Sequence, residues 1–310
     1  MTNQVPLVLD CDPGHDDAIA IVVAARHAEL LGITTVAGNA PLEQTTRNAL
    51  ILRDLLGIDV PVHSGADRPL LEVPRHGTHI HGTTGLDGAE LPEPSRPVDG
   101  TDAASFIIET CRRRPGTWLV GVGPLTNLAL ALRSASDLAG LVGGISVMGG
   151  GTFGNRSAVA EYNIWADPEA AAVVFGYGGP LVMAGLDVTY QLQATPERLD
   201  RLAAVPGRLA ETLTGLLRFY STGYITSHEN VKGAAIHDPC AVLALTHRQL
   251  FRWQARHVAV ETSGTLTRGM TVIDRRNLID RPSPTCEVLE AVADDDAFGV
   301  IVDAIALFSR

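Results

Sequence analysis

The chain has 310 residues, of which 45% are apolar, so it can bury a large core and is unlike an intrinsically disordered protein. Its formal charge of -11 argues against nucleic acids and anionic membranes as partners, because both attract basic surfaces. No apolar run approaches the roughly 20 residues that span a bilayer, and no signal peptide is evident, so we expect a cytoplasmic protein.

Strands and helices are predicted to alternate along the first 190 residues. Apolar, β-branched segments predict strands at 5–10, 31–38, 60–63, 117–123, 142–150 and 180–187. Helical periodicity predicts helices at 18–27, 44–56, 103–113, 125–132 and 168–175. This alternation is typical of an α/β fold with an open, mostly parallel central sheet covered by helices on both faces.

The rest of the chain departs from this alternation. Residues 63–100 are dense in Gly and Pro, and such a long loop is usually functional or mobile. After about residue 188 helical patterns dominate, with 199–218 the longest, and 261–276 predicts a hairpin that turns at Ser263 and Gly264. No linker is evident, so we expect residues 1–310 to form a single domain with a small hairpin and extra helices in its C-terminal third.

Four carboxylates fall within eight residues where the first strand gives way to a helix: Asp10, Asp12, Asp16 and Asp17 in "DCDPGHDDA". Helix capping would explain one or two of them. Two carboxylates 4 Å apart repel by about 4 kcal/mol at an effective dielectric of 20, so the group needs protons, cationic partners or a metal. The first 25 residues contain no Lys or Arg, which favours a metal, and oxygen ligands suit calcium or magnesium.

Two other functions fit part of this pattern. An Asp-x-Asp after the first strand occurs in phosphatases of the haloacid-dehalogenase type, which use the first Asp as nucleophile and require magnesium. Such enzymes normally carry Thr two residues after the second Asp, where this chain has Gly14. The second alternative is a non-catalytic binding protein.

Three further segments carry polar side chains of interest. Asn155, Glu161 and Asn163 lie in a loop before a predicted helix, and their amide and carboxylate groups suit sugar hydroxyls, although turn formation is equally consistent. His237 precedes Asp238, so its imidazole could protonate a leaving group near neutral pH. The segment "HGTHIHG" at 76–82 lacks the cysteines of a zinc site and is better interpreted as a lid over a sugar.

These segments resemble the calcium-dependent nucleoside hydrolases of the inosine-uridine preferring type. The resemblance runs from Leu9 to about Phe308 and rests on segments in the same order: "DCDPGHDDA" (10–18), "GN" (38–39), "GPLTNLA" (123–129), "MGGG" (148–151), "VAEYNIWADPEAA" (159–171) and "HDPCAV" (237–242). It implies the nucleoside hydrolase fold and hydrolysis of ribonucleosides to base and ribose; the non-catalytic alternative is then a nucleoside or ribose binding protein that has kept the pocket. It also implies Ca²⁺ as cofactor, a small nucleoside as substrate and a homodimer or homotetramer.

The resemblance also implies roles for individual residues around the ion. Asp12, Asp17, Asp238 and the main-chain carbonyl of Thr126 would be the protein ligands of calcium. Asp12 would in addition be the general base toward a calcium-bound water, and His237 would help to protonate the departing base. Asp10 is expected behind the ligands, where it would orient the loop.

The remaining predicted residues would contact the substrate. The ribose hydroxyls are assigned to Asp16, Asn39 and Asn163, the 5′-hydroxyl end to Asn155 and Glu161, and a packing contact in the pocket to Met148. His81 and Tyr224, which like Asn155 lie outside the matched segments, complete the prediction: His81 as part of the lid, and Tyr224 as a ring that could stack on the base although it could equally pack in the core. Preference among inosine, uridine and cytidine stays open.

Overall fold

The computed structural model describes residues 4–77, 82–227, 231–277, 280 and 282–309. The strands are β1 (Pro6–Cys11), β2 (Glu29–Thr35), β3 (Val62–Ser64), β4 (Trp118–Gly121), β5 (Gly144–Met148), β6 (Leu181–Ala184), β7 (Gln193–Ala194), β8 (Ala234–Ala235), β9 (Phe251–Val260), β10 (Thr271–Asp274) and β11 (Cys286–Val292). The helices are α1 (His15–His27), α2 (Leu42–Leu56), α3 (Ala103–Arg113), α4 (Thr126–Ser134), α5 (Leu138–Leu141), α6 (Tyr162–Ala166), α7 (Pro168–Phe175), α8 (Leu186–Thr189), α9 (Pro196–Ala203), α10 (Arg208–Ser227), α11 (Pro239–Thr246) and α12 (Asp294–Phe308).

A nine-stranded sheet has the order β10-β9-β11-β6-β5-β4-β1-β2-β3. The strands from β11 to β3 pair in parallel, whereas β9 pairs antiparallel with both β11 and β10 at one edge. A separate two-stranded antiparallel sheet joins β7 and β8. The predicted α/β class and parallel sheet are confirmed.

Both faces of the sheet are covered because its strands are apolar on both sides. In β1 the fully buried Leu7 and Leu9 belong to one hydrophobic cluster and Val8 belongs to the other. The first cluster includes side chains of α1, α10 and α12, and the second includes side chains of α3, α4 and α7. None of the helices in the described ranges is long and apolar enough to cross a membrane.

Two predictions in the C-terminal half need correction. The helix expected over 199–218 is two helices, α9 and α10, because Pro206 lacks an N–H and Gly207 adopts φ +112, which interrupt helical hydrogen bonding. The hairpin exists, but it is formed by β9 and β10, and residues 261–270 are its connecting loop rather than a tight turn at Ser263 and Gly264.

Candidate active site

The acidic segment lies where the order of the sheet reverses. β1 pairs with β2 on one side and with β4 on the other, and Asp10 is in register with Thr34 and Gly121. The loops that leave the carboxyl ends of β1, β2 and β4 therefore diverge around one crevice. Ligands of open α/β sheets bind at such a switch point.

Asp17 closes the acidic loop onto the start of α1. Its Oδ2 accepts the Gly14 N–H at 2.8 Å, and its Oδ1 accepts the Asp12 N–H at 3.1 Å. The Asn39 amide donates to Asp17 Oδ2 and to the Asp12 carbonyl, both at 3.1 Å. Helix capping is thus real for Asp17, and the same bonds fold the chain so that its neighbouring carboxylates converge.

Asp12 lies in a slot between two glycines. Its Oδ2 accepts the Asn39 N–H at 2.6 Å, whereas its Oδ1 is buried and has no hydrogen-bond partner among the described residues. A Cβ added to Gly38 would lie 2.0 Å from Oδ2, and one added to Gly123 would lie 2.4 Å from Oδ1. The glycines therefore permit the close approach that fixes this carboxylate, and Oδ1 keeps its lone pairs for a ligand or a proton.

Asp16, Asp17 and Asp238 form a buried cluster in which one carboxylate oxygen of each lies within 4.8 Å of the others. Burial raises the pKa of Asp16 to about 8 and that of Asp17 to about 6. Burial, with the nearby charges of Asp16 and Asp17, raises the pKa of Asp238 well above its usual range. The pKa of Asp12 is also well above its usual range, mainly through burial and the charge of Asp17.

The cluster fits a hard divalent cation. In the described part of the chain, neither arginine nor lysine forms an ion pair with any of these aspartates. The raised pKa values show that the carboxylates are costly to ionise together, and a cation would offset that cost. The donors are all oxygen, which suits calcium or magnesium. The geometry also places Asp16, predicted as a ribose contact, among the possible ligands.

Asp10 lies behind this group, at the end of β1. Its Oδ1 accepts the Thr34 hydroxyl at 2.5 Å and the Asn127 amide at 2.8 Å, and burial raises its pKa to about 7. Asn127 also donates to the Thr35 carbonyl at 2.9 Å, so it ties the ends of β1 and β2 to α4. These partners were not predicted, although Asn127 lies within the quoted "GPLTNLA" segment.

His237 reaches the acidic cluster from a distant part of the sequence. Its backbone N–H donates to Asp16 Oδ2 at 3.3 Å across 221 residues. Its ring is held on both sides, with Nδ1 2.7 Å from the Thr189 hydroxyl and Nε2 3.1 Å from the Tyr224 hydroxyl. Tyr224 is buried in this contact. Thr189 was missed because no local pattern links α8 to His237.

Two of the residues predicted for the sugar, Glu161 and Asn163, form a second polar group beside β5. Glu161 caps α6: its Oε1 accepts the Asn163 N–H at 2.9 Å, and its Oε2 accepts the Gly150 N–H at 3.0 Å. Burial raises the pKa of Glu161 to about 7. The Asn163 amide donates to the carbonyls of Val122 at 2.9 Å and of Met148 at 3.2 Å, so it joins the ends of β4 and β5.

Two of the predicted residues, Asn155 and Thr126, lie apart from these contacts. Asn155 accepts the Tyr162 N–H at 2.9 Å and supports the start of α6. The Thr126 hydroxyl donates to Asp167 at 2.7 Å, and the predicted calcium contact of its carbonyl stays a prediction. His81 lies outside the described residues. Contact of any of the predicted residues with substrate likewise stays a prediction.

Comparison with known proteins decides the family. The family model for the inosine-uridine preferring nucleoside hydrolases matches residues 7–299. The chain belongs to that family. It is 41% identical over 310 residues to the pyrimidine-specific ribonucleoside hydrolase RihA of Shewanella sp. (strain MR-7), covering 98% of this chain and 97% of the relative.

Solved structures agree with the family and the fold. The purine-preferring ribonucleoside hydrolase from Gardnerella vaginalis superposes with a TM-score of 0.92 at 33% identity, covering 98% of this chain and 99% of that one. A plant nucleoside hydrolase superposes with a TM-score of 0.90 at 29% identity, with the same coverage of both chains. The nucleoside hydrolase fold predicted from the sequence is confirmed.

Membership establishes the coarse function. The protein is a ribonucleoside hydrolase, an enzyme that breaks the N-glycosidic bond of nucleosides, and its family implies dependence on a metal. The phosphatase and the non-catalytic binding protein, which the sequence left open, find no support among these relatives. Family membership does not establish which metal is bound, what each residue does or which base is preferred.

Proposed function

We propose that this hydrolase cleaves pyrimidine ribonucleosides with Asp12 as the general base and calcium as the cofactor. The observation that carries the proposal is Oδ1 of Asp12, which lies between Gly38 and Gly123 beside the carboxylate cluster and has no hydrogen-bond partner in the part of the chain that the structure describes. A buried carboxylate oxygen without a donor is poised to accept a proton or bind a cation.

Calcium would be held by Asp12, Asp17, Asp238 and the carbonyl of Thr126, with Asp16 close to the same oxygens. Support comes from the all-oxygen donor set and from the raised pKa values of the four aspartates. When bound, the ion would supply Lewis acidity toward the attacking water and would orient the ribose diol. The same sites could accept magnesium, but a crowded, multidentate carboxylate site is more typical of calcium.

The side chains of the chain account for the proton transfers. As the water oxygen attacks C1′ of the ribose and the C1′–N bond breaks, Asp12 Oδ1 accepts the proton of the water. The ribose develops oxocarbenium character, which the buried carboxylates stabilise electrostatically. His237 donates a proton to the departing base, and its contacts with Thr189 and Tyr224 orient the ring.

The sugar is expected to lie between the two polar groups of the site. Asp16 and Asn39 would bind the ribose diol on the side of the acidic loop, with Asn163 nearby. Asn155 and Glu161 would bind the 5′-hydroxyl end, and Met148 would pack against the ribose. Amides and carboxylates suit hydroxyls, because an amide accepts and donates hydrogen bonds and a carboxylate accepts the hydroxyl proton, so the ligand needs no charge.

The preference for pyrimidines rests on similarity. The relatives that are named pyrimidine-specific are 41–43% identical to this chain, whereas the purine-preferring structure is 33% identical. Free ribose released from uridine, cytidine and inosine tests the proposal. We expect kcat/KM for uridine to exceed that for inosine at least tenfold, a difference of about 1.4 kcal/mol in transition-state binding. Equal or faster cleavage of inosine would refute the pyrimidine preference while leaving the hydrolase assignment intact.

Three further expectations remain predictions. They are the cytoplasmic location, the homodimer or homotetramer, and the organisation of residues 1–310 as a single domain. The nucleoside itself is the one partner that the family establishes.

A further inference from the structure

Asp167 is a buried carboxylate that joins three parts of the chain. It is fully inaccessible to solvent, and its Oδ1 accepts the Ala170 N–H at 3.1 Å as the N-cap of α7. Its Oδ2 accepts two donors from elsewhere, the Thr126 hydroxyl at 2.7 Å and the Leu70 N–H at 2.9 Å. One oxygen atom therefore links α4 to the loop that follows β3.

The contact with Thr126 fixes the first residue of α4. The Thr126 side chain is buried, and a hydroxyl that donates to a carboxylate makes a short, strong hydrogen bond. The next residue, Asn127, is fixed as well, because its amide donates to Asp10 and to the Thr35 carbonyl. The main chain at Thr126, whose carbonyl is the proposed calcium ligand, is thus held by bonds on both sides.

The contact with Leu70 fixes a segment that reaches the edge of the site, where the Gly77 N–H donates to the carbonyl of Gly38 at 3.3 Å. Within residues 66–77, the Ala66 N–H donates to Asn127 Oδ1 at 2.8 Å, and the Arg75 carbonyl accepts the Tyr162 hydroxyl at 3.1 Å. Arg268 pairs with Glu72 at 2.7 Å and with Glu169 of α7 at 2.8 Å. The segment therefore rests on α4, α6 and α7, and Asp167 contributes a buried anchor.

We propose that Asp167 is a positioning residue that couples metal binding at Thr126 to the order of residues 66–77. The inference rests on the proposed function, because it takes the Thr126 carbonyl as a ligand. A residue behind a metal ligand typically changes metal affinity 10–100-fold when it is lost. Oδ2 of Asp167 accepts both donors, so an ion that holds Thr126 in place also fixes the acceptor of the Leu70 N–H. By thermodynamic linkage, an ordered segment 66–77 must in turn raise the affinity for the ion.

The simpler role for Asp167 is that of a helix cap alone, and the chain offers a matched control. Asp102 caps α3 in the same way, since its Oδ1 accepts the Ser105 N–H at 3.0 Å, but it is exposed and lies away from the site. Serine caps helices well but is too short to reach both further donors. Asp167→Ser and Asp102→Ser therefore each keep a helix cap, and only the first loses the contacts with Thr126 and Leu70.

The test measures two properties of the full chain after treatment with a chelator: calcium affinity by titration calorimetry, and hydrogen exchange of the Leu70 amide. We expect Asp167→Ser and Thr126→Val to weaken calcium binding roughly tenfold and Asp102→Ser to leave it within twofold. The double variant Asp167→Ser/Thr126→Val is expected to bind no more weakly than Asp167→Ser, because both remove one interaction. Calcium at a saturating concentration is expected to slow exchange at Leu70 in the wild type and to lose this effect in Thr126→Val, whereas Asp167→Ser is expected to exchange fast with or without calcium.

The outcomes separate this inference from the proposed function. If the wild type binds calcium and the Asp167 and Thr126 variants bind it equally well, the coupling is wrong and the calcium site stands. If the wild type binds no calcium, the calcium assignment and the coupling both fail. If Asp167→Ser does not fold, Thr126→Val still tests the effect on metal binding, because this variant keeps the cap of α7. Unchanged calcium affinity in Thr126→Val would refute the proposed role of the Thr126–Asp167 hydrogen bond in metal binding.

Discussion

Replacement of Asp12 by Asn is expected to lower kcat for uridine roughly 10⁴-fold while the protein stays folded. Asn is nearly isosteric, and its carbonyl oxygen can keep the hydrogen bond from the Asn39 N–H that Asp12 Oδ2 now accepts. Its NH₂ group then replaces the orphaned Oδ1 in the slot beside Gly123. The variant thus fills the same space without an atom that can take a proton from water.

The measurement is steady-state ribose release at saturating calcium, so that a weaker metal affinity does not lower the observed rate. Far-ultraviolet circular dichroism and the thermal midpoint of the variant check its fold, and calcium titration checks its metal site. Turnover within tenfold of the wild type, in a variant that is folded and loaded with calcium, would show that Asp12 is not the base.

Replacement of His237 by Ala is expected to reduce kcat/KM for uridine by roughly 10²–10³ but that for p-nitrophenyl riboside by less than tenfold. The nitrophenolate leaves without protonation, whereas a pyrimidine base leaves more readily when it is protonated. The comparison of the two substrates separates proton donation from mere packing, because a disturbed pocket would slow both reactions.

The control for this prediction is Thr189→Val. It removes the hydroxyl beside Nδ1 of His237 and keeps the imidazole, so its loss on uridine is expected to be smaller than that of His237→Ala. Equal losses on uridine and p-nitrophenyl riboside in His237→Ala would contradict the acid role and would leave the histidine as a structural contact of Tyr224.

The α/β architecture could be predicted because its information is local. A strand such as β1, with Leu7, Val8 and Leu9 all buried, must be covered on both faces, and helices alternate with such strands up to α8. The strand β9 was harder to predict, since all four residues from Arg252 to Ala255 are exposed and polar side chains interrupt its apolar pattern. Pairing with β11 and β10, rather than its own composition, stabilises it.

The candidate site likewise has a part that local sequence predicts and a part that depends on tertiary packing. Asp12 and Asp17 could be placed together because a Pro-Gly turn and a helix start separate them by only a few residues. The approach of Asp238 to Asp16 depends on how α11 packs on α1, which is a property of tertiary structure. The same holds for Asp167, whose place in "ADPEAA" signals a helix cap and gives no indication of its contact with Thr126.

The most direct test of the account is the restoration of activity by calcium. The protein is freed of metal with a chelator, and ribose release from uridine is followed as calcium or magnesium is added back. The account predicts no detectable ribose without metal, full recovery with calcium at a saturating concentration, and little recovery with magnesium. Undiminished ribose release by the metal-free protein would contradict the assignment of the aspartate cluster as a catalytic calcium site.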